Sequence, residues 1–570
     1  LRWDIKSSPE IFKTALENQE VNTLLEKLMD SAINSKDDVE KLNEDMISLY
    51  SKVQDICEPK NQLHSMGESI TKNSKKRMQA KQPWFNTQCL TAKRSLRILA
   101  RKYGKTPGDT TLRAMYYESR REYKKLLKRV KLEYIQSISE NVLASKNISW
   151  DSVKKLKAMN SEPSPLGVQD IKSFYTFFKR LYEMKSTDSP DLHHKTETQE
   201  ATDDLLNILN NEILPSELDI AIKGLKSGKA AGLDTIPNEY LKHSNIKIKN
   251  VLLRLLNGCL EFGYYPWTTT IITPLHKKGD VHNPDNYRAI AVGSNIGKLY
   301  SSILLERLLR FRMKHCPDTE NQLGFKKGSQ TVDHLFTLKT CIDKYVHRKR
   351  KRLYACFVDY RKAFDTVCRD ALLFKLSKLG IEGKFTKCMS YMYKNSKARL
   401  KIAKRLSEAF DVNIGTEQGH PLSPELFKIY VHELSTRLNC QPDTDPPVLN
   451  GVDISHLLWA DDLVLLSQTR EGLQRMISTL GEYCDEWYLH VNIDKTAVMV
   501  FNPIGRQLKE SHGLRYGSIE IPSAKNYCYL GIIITLSGSM AAAQNTLKQK
   551  GMRAYFAMKK YIDIGGVQAI

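Results

Sequence analysis

Three aspartates in two short segments carry the chemistry this chain could do. Asp461 and Asp462 stand side by side within His456–Ser467, between two runs of large apolar residues. Charge inside such a run is costly unless it is paired or binds a metal. The flanks have strand length and Ala460-Asp461-Asp462 suits a tight turn, so the pattern predicts a hairpin that lifts two carboxylates out of an apolar sheet. Taken alone, it also reads as a hairpin tip with two solvated acids, because aspartate is common in turns. Asp359 closes a second segment, where Leu353 to Val358 is a continuous β-prone apolar run. That predicts a buried strand delivering one carboxylate at its C-terminal end. Three carboxylates on strand ends are a ligand set for two hard cations held by oxygen, as in phosphoryl-transfer sites with two Mg²⁺ ions, Mn²⁺ being the alternative. Asp365 is the rival ligand. It follows Phe364 into an expected helix start and reads as structural.

Between these sites lies Gly415-Thr416-Glu417-Gln418-Gly419-His420-Pro421-Leu422-Ser423-Pro424-Glu425. Its glycines and Pro421 suit a loop, and Ser423-Pro424-Glu425 suits a helix entry with proline at the first helical position. Gly419 would let backbone approach a ligand closely. Strand-like runs at 353–358, 457–467 and 496–502 predict one sheet. Helical periodicity covers Val21–Leu28, Val39–Ile56, Glu217–Leu225 and Val251–Phe262, and a further helix is expected from Thr535 onward.

The chain has 570 residues, too long for one ordinary domain, and 87 basic against 64 acidic residues give a net charge of +23. Such a surplus points to a polyanion, with an anionic membrane surface as the other candidate. No apolar run approaches the length of a membrane-spanning helix, and no signal pattern opens the chain, so no membrane is expected. The 11 cysteines are scattered without a Cys-x-x-Cys pair, which predicts neither a zinc knuckle nor a disulfide frame. A reducing compartment follows, nucleus or cytoplasm. Residues 71 to 131 hold 19 Lys or Arg against 3 Asp or Glu, interleaved with Trp84, Phe85, Tyr103, Tyr116, Tyr117 and Tyr123. Such a basic helical strip can neutralise phosphates and stack bases, with Lys124, Lys125, Lys128 and Arg129 as its candidate contacts. The bland alternative is a solvated helical hairpin with its tyrosines packed inward.

The ordered motifs resemble the reverse transcriptases of non-LTR (LINE) retrotransposons of the jockey-like kind. They run from Ser227-Gly228-Lys229-Ala230-Ala231-Gly232-Leu233-Asp234 through Pro274–Gly279, Asn286-Tyr287-Arg288 and Gln322-Leu323-Gly324-Phe325. The Asp359 strand, the Gln418 loop and Trp459-Ala460-Asp461-Asp462 follow, then Trp487–Asn492, Lys495-Thr496 and Tyr529-Leu530-Gly531. The resemblance covers about residues 200 to 535. It implies that Asp359 and Asp461 are catalytic metal ligands, with Asp462 their less directly ligating neighbour. It implies that Phe364 lies under the incoming sugar and disfavours a 2′-hydroxyl, and that Lys277 and Arg288 contact the triphosphate. Gln418 and Gly419 would support the templating pair, Lys495 would act near the pyrophosphate, and Tyr529, Leu530 and Gly531 would hold the primer end. Trp459, Ala289, Ala231 and His420 depart from the family's usual residues, and none of them removes a metal ligand.

The fold so implied is α+β, a right-hand polymerase preceded by a helical N-terminal region. Its expected parts are helical residues 1–70, a basic nucleic-acid-binding region 71–185, a polar linker 186–205, fingers 206–350, a palm with an antiparallel sheet 351–530, and a partial thumb 531–570. The expected partners are an RNA template, a DNA primer or target, and dNTPs. The chain starts at Leu1 and stops in a helical region, as a piece of a longer product with an endonuclease upstream would. A catalytically dead nucleic-acid-binding relic and a group II intron-type maturase are the alternatives.

Overall fold

A computed structural model describes residues 8–57, 84–106, 108–144, 166–167, 170–183, 201–403, 405–507 and 512–564. They form two compact units, 8–57 with 166–542, and 84–144 with 543–564. The polar segment around Lys185–Pro190, and Pro83 with the residues from 71 before it, lie outside the described residues. Among the described residues no helix is long and apolar enough to cross a membrane. All eleven cysteines are free thiols.

The strands of the first unit are β1 (Thr269–His276), β2 (Tyr287–Val292), β3 (Leu353–Val358), β4 (Lys397–Ile402), β5 (Arg405–Asp411), β6 (Val448–Leu449), β7 (Val452–Asp453), β8 (His456–Trp459), β9 (Asp462–Ser467), β10 (Ala497–Phe501), β11 (Arg515–Tyr516), β12 (Ile519–Glu520), β13 (Asn526–Tyr529) and β14 (Ile532–Thr535). Two four-stranded sheets result, ordered β2-β1-β4-β5 and β10-β3-β9-β8. The second is antiparallel throughout, as expected. The first contains one parallel pair, β1 with β4.

The continuous apolar run of β3 has a simple cause. The strand is central, and both of its faces are covered. Cys356 and Val358 join the larger core, which includes Leu473 and Ile477 of the helix Arg470–Glu486. Leu353, Ala355 and Phe357 join a second core with Met499, Tyr529 and Ile534. Each large apolar side chain so buried is worth about 1.5–3 kcal/mol, enough together to hold a charge at the strand's end.

The N-terminal helices Ser8–Leu16, Gln19–Asp30 and Lys36–Cys57 belong to the same larger core. Phe12 stacks on Tyr240 at 4.7 Å, and the Tyr50 and Ser244 hydroxyls share a buried hydrogen bond of 2.8 Å. Arg254 donates to the carbonyls of Leu28, Met29 and Ser31, satisfying the end of the second helix. The helix Ile171–Glu183 lays Phe174, Phe178 and Tyr182 on the first sheet.

Two sequence expectations shift. The chain after Thr535 first makes a turn, with Gly538 at φ +66°, and helix begins only at Ala541. Thr535 is instead paired to Asn526 in the β13–β14 hairpin. Asp365 lies in an irregular turn, and the helix after it starts at Arg369. In the second unit, Thr87–Lys105 and Thr110–Ala144 form a helical pair.

Candidate active site

Asp359 is the first residue past β3, and its backbone and side chain are both held. Its N–H donates to Thr496 Oγ1 at 3.2 Å, and its carbonyl accepts from the Asn492 N–H at 2.7 Å. Asn492 Nδ2 donates to Asp359 Oδ2 at 3.2 Å, and Lys495 Nζ stands 3.8 Å from the same oxygen. The exposed Lys495 contributes little stability at that distance but keeps a cation beside the carboxylate.

Asp461 and Asp462 sit where β8 turns into β9. Trp459 pairs with Asp462, leaving Ala460 and Asp461 as a two-residue turn. Ala460 takes φ +59°, a conformation costing a non-glycine residue about 1–2 kcal/mol. Gly324 packs against it so closely that an added Cβ would fall on the Ala460 amide. The segment carrying Gly324 is laced to β8, with Leu323 N–H donating to the Leu458 carbonyl at 3.2 Å and Leu458 N–H to that of Asn321 at 2.9 Å. Gln322 Oε1 accepts from the Gly324 N–H at 2.8 Å. The motif Gln322-Leu323-Gly324-Phe325 is therefore the backing of the carboxylate turn, a role its sequence does not announce.

Because Val358 pairs with Leu463, the end of β3 arrives beside the start of β9. The 102-residue separation between Asp359 and Asp461 collapses there. Burial first, and then the charge of Asp359, hold the Asp461 carboxyl above its ordinary range, against the pull of Arg288 and Lys277. Asp462 is pushed up to about 6, first by the surrounding protein, then by Asp461 and Asp359. The Asp462 side chain is exposed, so water screens part of that repulsion. Like charges crowded at strand ends, which the nearby Lys495, Arg288 and Lys277 offset only in part, favour binding of a further cation. Among the described residues no three carboxylate, imidazole or thiol groups converge as a complete metal cage. Two carboxylates suffice for Mg²⁺, which commonly completes its shell with water and substrate phosphate.

Lys277 and Arg288 stand at the loop end of the β1–β2 hairpin, where Lys277 N–H bonds the Asn286 carbonyl at 2.9 Å and Arg288 pairs with Leu275. Burial, and then the charge of Arg288, lower the Lys277 pKa, with Lys495 and Lys362 adding to it. The cations assigned to the triphosphate thus share one electrostatic region with the aspartates. Phe364 stacks on Phe427 at 4.5 Å and meets Phe325 edge-on at 6.3 Å. It is half-buried and five residues past Asp359.

Gln418 donates through Nε2 to both carboxylate oxygens of Asp365 at 3.0 Å, and its carbonyl accepts from Ala291 N–H at 3.0 Å. Asp365 is buried and holds the loop rather than joining the other acids. Burial pushes its carboxyl up to about 6. Gly419 needs its glycine, with φ +107° and the Ala291 carbonyl 3.1 Å from where a Cβ would lie.

Tyr529 is buried against Phe357, ring centroids 5.6 Å apart, and Leu530 and Gly531 form the turn of the β13–β14 hairpin at φ +47° and +81°. Tyr527 stacks on Phe357 at 4.5 Å. Its hydroxyl pKa is raised, by burial first and then by Asp359 and Asp462, which puts this hairpin next to the carboxylates. Trp459 meets His334 edge-on at 5.7 Å, so the tryptophan is accommodated by aromatic packing. Lys124, Lys125, Lys128 and Arg129 lie exposed on the helix Thr110–Ala144 of the other unit. Lys125 pairs with Glu122 at 3.0 Å and Arg129 with Glu133 at 3.7 Å. Tyr103 stacks on Tyr116 at 5.5 Å, so part of the aromatic content of this region packs within the helical pair.

Sequence reasoning assigned no role to Asn492, Thr496 or Gly324. All three lie in quoted motifs, and only their partners reveal what they do.

The segment from residue 275 to 534 matches the family model described as reverse transcriptase (RNA-dependent DNA polymerase). That segment is a reverse transcriptase domain. It contains every site residue named above from Lys277 to Gly531. The probable RNA-directed DNA polymerase from transposon BS of Drosophila melanogaster is 27% identical over 288 residues, 48% of this chain and 31% of that protein. The Pol polyprotein from the type-1 retrotransposable element R2 of Popillia japonica is 26% identical over 336 residues, 57% of this chain and 45% of the relative. The RNA-directed DNA polymerase from mobile element jockey of Drosophila funebris is 22% identical over 466 residues, 77% of this chain and 49% of the relative. The chain is thus similar to polymerases of transposable elements, and it spans less than half the length of these relatives.

Proposed function

We propose that this chain is the RNA-directed DNA polymerase of a non-LTR retrotransposon, extending a primer 3′-hydroxyl with dNTPs on an RNA template. The observation that carries the reading is the placing of Asp359 and the Asp461-Asp462 turn at adjacent strand ends, with carboxyl pKa values raised at the last two. In this reading the sheet β10-β3-β9-β8 is the palm and the β1–β2 hairpin belongs to the fingers. The helix from Ala541, with Lys548, Lys550 and Arg553, begins the thumb.

Two Mg²⁺ ions, with Mn²⁺ as the substitute, would be held by Asp359 and Asp461, with Asp462 beside them, and would supply activation of the 3′-hydroxyl and charge neutralisation at the triphosphate. The chain's own residues do the rest. Lys277 and Arg288 bind the triphosphate, and Lys495 stands where pyrophosphate would leave. Phe364 fills the space a 2′-hydroxyl would need. Gln418 and Gly419 support the templating pair, and the Tyr529–Gly531 turn seats the primer end. Lys124, Lys125, Lys128 and Arg129 take phosphates of the bound nucleic acid. The wider biological act would be target-primed insertion in a nuclear or cytoplasmic ribonucleoprotein, with an endonuclease encoded upstream.

Asp461→Asn tests the reading. Extension of a primed RNA template should collapse while affinity for primer–template changes little, since binding rests on phosphate contacts. Extension equal to wild type would overturn it. A wild-type chain that binds primed RNA yet never extends it with Mg²⁺ or Mn²⁺ would favour the binding relic.

A further inference from the structure

Tyr182 lies outside the matched reverse transcriptase segment, near the end of the helix Ile171–Glu183. Its side chain nevertheless reaches the carboxylate that holds the Gln418 loop. The buried Tyr182 hydroxyl donates to Asp365 Oδ1 at 3.1 Å, and Gln418 Nε2 donates to the two Asp365 oxygens at 3.0 Å. The same helix end also holds the start of the Gln418 loop. Asn413 N–H donates to the Tyr182 carbonyl at 2.8 Å, and Asn413 Nδ2 to that of Glu183 at 3.3 Å. One turn earlier, Phe177 lies under Lys362 Nζ, 4.6 Å from the ring centroid, on the turn that carries Phe364.

We propose that Tyr182 is a positioning residue for the nucleotide pocket, fixing the Asp365 carboxylate so that Asp365 fixes the orientation of the Gln418 amide. The chemistry is one of donors and acceptors. An ionised carboxylate only accepts, so it selects the NH₂ end of the glutamine amide and turns the amide oxygen the other way. A carboxylate held by one partner alone can rotate, and the amide can then flip. The Tyr182 hydroxyl supplies the second, independent donor, from an element that is anchored on the first sheet through Phe174 and Phe178. There is no slack in the loop to absorb a movement, because a Cβ on Gly415 would lie 2.6 Å from the Asp365 carbonyl oxygen.

The inference rests on the polymerase reading, since the pocket is a nucleotide pocket only if that reading holds. The test is Tyr182→Phe in the full chain, which keeps the ring and its packing and removes only the hydroxyl. Single-nucleotide extension on primed RNA should show KM for the correct dNTP raised about tenfold, the worth of one hydrogen bond to a charged group, with kcat within about twofold. Asp365→Asn should act in the same direction. In a Gln418→Ala background, Tyr182→Phe should add nothing, because the group it positions is gone. A merely structural tyrosine would lower thermal stability without this split in KM and kcat. An unchanged KM, or an effect that adds in full to Gln418→Ala, overturns the inference while leaving the polymerase reading intact. A wild-type chain that does not extend overturns both.

Discussion

The carboxylates at the ends of β3 and β9 and the cations of the helix Thr110–Ala144 are both concentrated charge, yet they are built on opposite terms. The acids sit at the ends of buried strands, where burial, and then the like charge nearby, raises the carboxyl pKa of Asp461 and Asp462. The cations stand in water on a helix whose described residues include few that are buried, some paired with a glutamate one turn away. Charge that must be placed to a fraction of an ångström is held by backbone pairing and packing. Charge that must only meet a phosphate chain needs exposure and number. Substitutions should therefore divide cleanly, with single changes deciding catalysis in the first region and several together needed to change binding in the second.

The largest effect is expected at Asp359. Asp359→Asn should lower primer extension by about a thousandfold or more, because a ligand worth several kcal/mol of charge stabilisation is lost. Primer–template affinity, read by fluorescence anisotropy, should stay within a few-fold. Next comes Gly324→Ala, a substitution with no charge at all. Its Cβ must displace the Ala460 amide, and a catalytic group moved by about 1 Å costs about a hundredfold in kcat. Near-normal kcat in this variant would show that the turn is softer than its packing suggests.

For the basic helix, replacing Lys124, Lys125, Lys128 and Arg129 together with alanine should weaken primer–template binding and lower the slope of log affinity against log salt by about 3, with kcat at saturating nucleic acid unchanged. A single replacement should be hard to detect. If one lysine carried the whole effect, the contrast between placed and dispersed charge would fail.

The smallest effect is one of pH. The Asp462 carboxyl in the folded chain titrates near 6, above the 3.8 of a free side chain. Its ionised form is the one a cation needs, so apparent Mg²⁺ affinity in extension assays should rise with pH through about 6 and level off above. Stability without metal runs the other way. The folded state binds the proton more tightly than the unfolded one, so this group costs stability as pH climbs from about 4 to 6. Asp462→Asn should raise the melting temperature in EDTA above pH 6 and change it little at pH 4.

The legibility of these two regions in the sequence also differs. β3 was legible to the residue because burial on both faces leaves an uninterrupted apolar run, and the Asp461-Asp462 pair was legible because charge within such a run is anomalous. The helix Ser423–Cys440 announced itself through Pro424 in its first turn. What the sequence hid was packing between distant residues. Gly324 behind Ala460 and Tyr182 beside Asp365 have no local signature, since their partners lie far along the chain. The first sheet was missed because β1 and β4 pair in parallel across more than a hundred residues, with mixed polarity along each strand. The helix expected from Thr535 starts later because β14 keeps the chain extended and Gly538 turns it first.

The central claim is that Asp359 and Asp461 are the carboxylates around which RNA-templated DNA synthesis is organised. Its most direct test is a crystal of the chain with an RNA template, a DNA primer ending in a dideoxynucleotide, the complementary dNTP and Mn²⁺, read by anomalous scattering. The account predicts two peaks about 3.5–4 Å apart, each within bonding distance of an oxygen of Asp359 or Asp461 and of the triphosphate. Bound nucleic acid and nucleotide with metal coordinated elsewhere, or with the two aspartates turned away from it, would contradict the account.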